Sequence, residues 1–103
     1  MQKLIGIYQI TINEDTDINA FENYMKAKVF TTIGVGRQTR GGIVTEHYLV
    51  KEDSSVVVHD YSWIIHWTNQ GGSPFGSDNA PNDPANLLTE FGAKTSFSRY
   101  VVL

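Results

Sequence analysis

Five aromatic or imidazole side chains on predicted strands are the residues best suited to hold a ligand: Tyr8, His47, Tyr61, Trp63 and Trp67. Successive residues of a strand point to opposite faces, so Tyr61, Trp63 and Trp67 share one face. His47 joins that face if the connection between the second and third strands keeps an even register. Such a group could line a pocket for a planar ligand. The alternative is that these rings build the core or a subunit interface, where large aromatic side chains bury much apolar surface.

Three histidines, His47, His59 and His66, are the side chains best suited to proton transfer near neutral pH. Their spacings match no metal motif, and zinc needs several converging ligands, so we expect no metal. Glu46 and His66 have the same strand parity, and a carboxylate beside an imidazole can act as an acid–base pair. The catalytic candidates are therefore His47, His66 and Tyr8. The alternative is that the histidines are satisfied or half-exposed structural residues.

Two polar segments are candidate loops. The segment GVGRQTRGG, 34–42, places Arg37 and Arg40 among glycines, and such a turn could hold an anion. Its spacing is not that of the dinucleotide fingerprint, and it follows a helix rather than a strand, so a flexible connection with solvated arginines is the alternative. The segment NQGGSPFGSDNAPND, 69–83, is long for a connection and is either a lid or a passive loop. Phe75 is its large apolar residue and a candidate ligand contact.

The composition disfavours several classes of protein. The 103 residues fit a single domain, residues 1–103, and the net charge of -3 with scattered basic residues is unlike a surface that binds nucleic acid. The absence of cysteine excludes a disulfide framework and thiolate chemistry. No apolar run approaches a membrane span, and the N-terminal stretch does not read as a signal peptide. We therefore expect a soluble cytoplasmic protein that binds neither nucleic acid nor membrane.

Hydrophobic periodicity predicts the element order β-α-β-β-α-β. Residues rich in β-branched and aromatic types indicate strands at 4–12, 43–50, 56–68 and 98–103. Asp17 is an N-cap candidate for an amphipathic helix that ends at Gly34 and has one apolar stripe, formed by Ile18, Phe21, Met25 and Val29. Pro84 opens a shorter second helix. This order is that of the ferredoxin-like α+β fold: a four-stranded antiparallel sheet in spatial order 4-1-3-2 with both helices on one face.

Both faces of the predicted sheet carry apolar residues. Strands 1 and 3 place two sets on opposite faces: Leu4, Tyr8, Ile10, Ile12, Tyr61, Trp63, Ile65 and Trp67 on one, and Ile5, Ile7 and Ile64 on the other. In strand 2, simple alternation puts Ile43 and Leu49 on one face and Val44, Tyr48 and Val50 on the other. Two helices cover one face only, and the uncovered apolar face exceeds what monomers usually expose. We therefore expect a homodimer.

A chain of this size with this element order, a two-sided sheet and a C-terminal strand resembles the dimeric α/β-barrel superfamily. In that group two ferredoxin-like sheets associate into a barrel with the helices outside. The resemblance covers the whole chain by element order, without a diagnostic motif. Relatives in that superfamily include cofactor-independent monooxygenases, haem-degrading enzymes, lactone isomerases and stress-responsive barrel proteins. The monooxygenases bind a phenolic substrate among polar and aromatic side chains and use neither metal nor flavin.

The haem-degrading relatives offer a specific comparison. They use an amide side chain on strand 1, a tryptophan on strand 3 and an iron-ligating histidine on the second helix. Gln9 matches the first, and Trp63 or Trp67 matches the second. The segment 84–98 contains no histidine, so we expect no haem and no other cofactor.

Three functional hypotheses follow. The first is a dimeric barrel that binds a small apolar or aromatic molecule, with Tyr61, Trp63, Trp67, Gln9 and Phe75 as ligand contacts. The second is a cofactor-independent monooxygenase or isomerase that uses the catalytic candidates named above. The third is a structural or regulatory homodimer without a ligand. A cavity that reaches a histidine or tyrosine favours an enzyme, whereas a pocket filled by the protein's own rings favours an interaction protein.

Overall fold

The computed structural model of the chain describes residues 2–31, 42–68 and 88–103. Within these ranges it contains four strands: Lys3–Thr11 (β1), Val44–Lys51 (β2), Asp60–Thr68 (β3) and Lys94–Val101 (β4). One α-helix, Ile18–Tyr24 (α1), continues directly into a π-helical turn, Met25–Val29. A short 3-10 helix, Leu88–Phe91, precedes β4.

The four strands form one antiparallel sheet in the order β2-β3-β1-β4. The two central strands, β1 and β3, pair with each other over their full lengths. Strand β4 lies on the other side of β1, and β2 lies on the other side of β3. This is the 4-1-3-2 order that the sequence predicts.

Helix α1 begins and packs as its sequence dictates. Asp17 has an extended backbone, and its carboxylate accepts a hydrogen bond from the Ala20 amide at 3.1 Å, which satisfies one of the free N–H groups of the first turn. Phe21, Met25 and Val29 recur every four residues and are fully buried against the sheet. The predicted cap and apolar stripe are therefore confirmed.

The sheet has one buried face and one partly exposed face, which we call the helix face and the open face. Residues of β1 and β3 alternate strictly between buried and less buried positions. The buried residues of these two strands face α1, and together with the helix they form the core: Leu4, Tyr8, Ile10, Tyr61, Trp63, Ile65 and Trp67. The residues between them, among them Ile5, Ile7, Ile64 and His66, lie on the open face. The predicted division of β1 and β3 into two faces is confirmed.

Strand β2 contains a β-bulge that changes its alternation. Val44 lies opposite Trp67 while Glu46 lies opposite the next residue, His66, so Thr45 is an extra residue in the ladder. As a result Val44 is buried on the helix face. The expectation that Val44 and Leu49 lie on opposite faces is wrong, because simple alternation takes no account of the bulge.

The remaining differences concern ends of elements. Strand β3 begins at Asp60 rather than at 56, and β4 begins at Lys94 rather than at 98. Of the predicted second helix, Leu88–Phe91 is a 3-10 helix, and its start at Pro84 lies outside the described residues. The predicted helix end at Gly34, the glycine-rich segment up to residue 41 and the 69–83 loop with Phe75 also lie outside them.

Candidate functional site

Trp63 is the centre of an aromatic cluster on the helix face. Its ring stacks on Tyr8, with centroids 5.6 Å apart, and on Phe30, with centroids 5.4 Å apart. Tyr8 in turn contacts Phe97 on β4 at 4.7 Å between centroids. The Trp63 side chain is completely buried. We call Tyr8, Phe30, His47, Trp63 and Phe97 the aromatic cluster, and its rings fill the space around Trp63.

His47 is held in one protonation state by Trp63. The Trp63 indole Nε1 donates a hydrogen bond to His47 Nδ1 at 3.2 Å. An indole N–H can only donate, so Nδ1 is unprotonated and a neutral His47 carries its proton on Nε2. Burial lowers the pKa of His47, which favours the same neutral form. His47 therefore offers a hydrogen-bond donor at Nε2, and its Nδ1 is already occupied.

Tyr61 lies on the same face but belongs to a separate polar cluster. Its hydroxyl donates to Glu22 Oε2 on α1 at 2.9 Å, and Lys51 Nζ donates to the same oxygen at 2.9 Å. The hydrogen bond from Lys51 is the main cause that lowers the pKa of Glu22. Burial, followed by the Glu22 carboxylate, raises the pKa of Tyr61 well above its usual range. The Tyr61 hydroxyl thus stays protonated and ties the helix to the sheet.

On the open face the structure places two predicted site residues, His66 and Gln9. The Tyr48 hydroxyl lies 3.2 Å from His66 Nε2, which fixes the orientation of the imidazole. The Gln9 side-chain oxygen accepts a hydrogen bond from the Ser62 hydroxyl at 2.8 Å. Both residues are therefore separated by the sheet from the aromatic cluster.

A cleft of about 410 Å³ opens on the same face, where β2 begins and β3 ends. The strand register places five of its lining residues on the open face: Lys3, Ile5, Glu46, His66 and Thr68. Four further residues line the cleft: Leu4, Thr45, Trp67 and Val102. Glu46 and His66 are direct cross-strand neighbours, so their predicted shared face is confirmed. The Val102 amide donates to the Lys3 carbonyl at 3.0 Å, and this bond brings the two ends of the chain together at the cleft.

No family model matches the chain, and no curated protein matches it. Among solved structures, the crystal structure of a dimeric ferredoxin-like protein from an uncultured marine organism is similar over 100% of this chain and 97% of that chain. The TM-score is 0.69 and the sequence identity is 11%. This chain has a ferredoxin-like fold. The resemblance predicted from element order is thereby confirmed for the fold.

The ferredoxin-like sheet divides the predicted site residues into two groups. Those on the helix face are Tyr8, His47, Tyr61, Trp63 and Trp67, and those on the open face are Gln9 and His66. Sequence reasoning named neither Lys3 nor Val102 as site residues. No local sequence pattern marks these two residues as part of one site, because they meet only through the pairing of the first and last strands.

In the parts of the chain that the structure describes, there is neither a cluster of metal-binding side chains nor a helix that could span a membrane. Among residues 2–31, 42–68 and 88–103, no three histidine, aspartate or glutamate side chains come together in a way that could hold a metal ion. Over the same ranges, no helix has the length and apolar character needed to cross a membrane. The catalytic roles of His47, His66 and Tyr8 stay predictions.

Proposed function

We propose that the chain forms a homodimer in which the open faces of two ferredoxin-like sheets pack together into a barrel. Ile7 and Ile64 are cross-strand neighbours at the middle of this face. Ile5 lies beside Tyr100 of β4, and Tyr48 of β2 lies beside Ile64. These five residues, which we call the open-face patch, run across all four strands. Tyr48 and Tyr100 remain 37% and 53% exposed in the single chain, and the three isoleucines are partly exposed, so the patch leaves apolar surface in contact with water.

A second copy is the partner that fits this surface. Four strands about 4.8 Å apart and about eight residues long, at roughly 3.3 Å per residue, form a face of roughly 500 Å² in projection. Because side chains project from the sheet, the accessible area of such a face is larger than its projected area and approaches the roughly 800 Å² per partner of a standard interface. Two-fold packing sets the same patch against itself, as in most homodimers. The dimeric state of the full-length structural neighbour supports the same conclusion.

We further propose that the dimer binds a small molecule with an apolar or aromatic body in the open-face cleft. Its volume of about 410 Å³ falls within the range of roughly 300–1,000 Å³ that small-molecule sites usually have. Ile5 and Val102 provide apolar wall, while Glu46 and His66 provide polar groups. On the helix face, by contrast, Trp63 is enclosed by the protein's own rings, which supports a structural role for that cluster.

Sedimentation velocity tests the dimer. The wild-type protein should sediment as a dimer at micromolar concentration, and Ile64→Asp should sediment as a folded monomer with an unchanged far-UV circular dichroism spectrum. A matched pair of variants separates the open face from general surface effects. Val50→Asp alters a 41% exposed valine on the open face and should weaken the dimer, whereas Val56→Asp alters a 70% exposed valine in the β2–β3 connection and should leave the dimer intact. A stable wild-type monomer at these concentrations would contradict the proposal.

A further inference from the structure

The open-face cleft contains one acidic and one basic side chain at opposite sides. Glu46 lies on β2, and Lys3 lies two strands away on β1, opposite Thr68. With strands about 4.8 Å apart and an offset of two residues, their Cα atoms lie about 12 Å from each other. Long side chains from both positions can reach the space between them. Within the described part of the chain, neither Glu46 nor Lys3 makes an ion pair.

Between these two charges lies a polar group whose orientation is fixed. His66 is the cross-strand neighbour of Glu46, and its Nε2 is 3.2 Å from the Tyr48 hydroxyl. Its Nδ1 is therefore the ring nitrogen that can hydrogen-bond to a ligand. The remaining side chains of the cleft include the apolar Ile5 and Val102. The cleft thus combines an acceptor-only carboxylate, an ammonium group and apolar wall within one small volume.

We propose that the cleft binds an apolar or aromatic amino acid as a zwitterion. The ligand's ammonium group contacts Glu46, its carboxylate contacts Lys3, and its side chain packs against Ile5 and Val102. A ligand with a single charge would leave either Glu46 or Lys3 without a partner once the cleft is closed, and an unpaired charge removed from water is costly. A zwitterion satisfies both groups at the same time.

The amino-acid site rests on the proposed dimer, because the second copy supplies its missing wall. Ile5 belongs both to the cleft and to the open-face patch, so the cleft is continuous with the proposed interface. A chain packed on the patch covers the open side of the cleft and removes the bound ligand from water. Ligand binding and dimerisation are then coupled, and by thermodynamic reciprocity each strengthens the other.

Isothermal titration calorimetry on the wild-type dimer tests the charge pattern with three compounds: L-phenylalanine, 3-phenylpropionate without the ammonium group, and phenethylamine without the carboxylate. L-Phenylalanine should bind at least about tenfold more tightly than either analogue, because each analogue lacks one charge-assisted hydrogen bond. A dimer that binds none of the three compounds overturns the amino-acid site and leaves the proposed dimer standing. Equal affinity for all three overturns the zwitterion pattern.

Two substitutions assign the charges to their residues. Glu46→Gln should weaken L-phenylalanine binding at least about tenfold. It should strengthen 3-phenylpropionate binding, since that compound has no ammonium group and leaves the Glu46 carboxylate without a partner. Lys3→Met should weaken L-phenylalanine binding by a similar factor and strengthen phenethylamine binding, since that compound has no carboxylate to pair with Lys3. Glu52→Gln and Lys26→Met remove the same charges at exposed positions away from the cleft and should have no effect. If Glu46→Gln and Lys3→Met behave like these controls, the assigned roles are wrong.

Sedimentation equilibrium with and without ligand tests the wall supplied by the second copy. At a concentration ten times its dissociation constant, L-phenylalanine should lower the dimer dissociation constant at least about tenfold. Val50→Asp brings a very tight dimer into the measurable range without altering the cleft. A dissociation constant that does not respond to bound L-phenylalanine overturns the shared wall. A wild-type protein that is monomeric throughout overturns the proposed function itself.

Discussion

Gly6 offers a direct test of the packing on the helix face, because two aromatic rings occupy the position of its missing side chain. A Cβ atom at this residue would lie 2.8 Å from Phe97 Cε2 and 2.8 Å from Trp67 Cζ3. Non-bonded carbon atoms prefer about 3.5–4.0 Å, so Gly6→Ala requires both rings to move by about 0.7 Å or more. Phe97 is 42% exposed and can move towards solvent, whereas Trp67 is 2% exposed and is held by the core.

The expected change in the free energy of unfolding follows from how far each of the two rings can move. Overpacking a core by one methyl group costs about 1–3 kcal/mol, and replacing a strand glycine by alanine returns about 0.5–1 kcal/mol by restricting the unfolded chain. The difference between these two terms spans about 0–2.5 kcal/mol. Because the buried Trp67 cannot move towards solvent, we expect Gly6→Ala to lower the free energy of unfolding by about 1–2 kcal/mol. Urea denaturation followed by tryptophan fluorescence and by circular dichroism measures this change.

A second substitution shows which of the two rings resists the added methyl group. In a Phe97→Leu background, Gly6→Ala should cost less than in wild type but should remain destabilising, because Trp67 still occupies its place. A Gly6→Ala variant as stable as wild type would show that the space beside β1 is looser than described. A cost that disappears entirely in the Phe97→Leu background would show that Trp67 is not the rigid neighbour.

Three further predictions concern other contacts. Burial lowers the pKa of His47 below its unfolded value near 6.5, so the neutral imidazole stabilises the fold fully above about pH 6.5 and less below it. In His47→Gln the amide oxygen can still accept the hydrogen bond from Trp63, but the side chain does not titrate. This variant should therefore lose less of its urea midpoint than wild type between pH 7 and pH 5. Tyr61→Phe should lower the free energy of unfolding by about 1 kcal/mol at pH 7, because the hydrogen bond to Glu22 is lost. In urea titrations below pH 4 this difference from wild type should shrink, because Glu22, whose pKa is lowered, then takes up a proton. Deleting Thr45 should cost less, by thermal unfolding, than deleting any other residue of β2, because the ladder becomes regular and every other residue keeps its face.

The elements predicted correctly are those with a strong local signal. The Asp17 cap and the four-residue spacing of Phe21, Met25 and Val29 are contained within one helix, so periodicity alone predicts them. The strict alternation in β1 and β3 arises because one side of both strands is buried under the helix. Four strands connected in this way can form very few sheet topologies, and the predicted 4-1-3-2 strand order is the one observed.

The features that sequence reasoning missed depend on contacts between distant segments. Lys94–Val101 is an edge strand whose residues are mostly exposed on both faces, so its first half, with lysine, threonine and serine, does not show the apolar pattern of a strand. The bulge at Thr45 has no local marker such as glycine. The cleft is lined by both Lys3 and Val102, which are hydrogen-bonded to each other although nearly the whole sequence separates them.

Strand parity also limits which chemistry each side of the sheet can perform. His47 and Tyr8 lie on the helix face, while His66 lies on the open face, and packed layers of side chains on either side of a sheet are separated by its full thickness. A proton therefore cannot pass directly between His47 and His66 of the same chain. Acid–base chemistry on the helix face has His47 with only Nε2 available, because Trp63 occupies Nδ1. On β2, Glu46 lies beside His66 on the open face while Val44 stays in the core, because the bulge leaves Thr45 out of the ladder. If Thr45 were paired in a regular ladder, Val44 and Glu46 would lie on the same face.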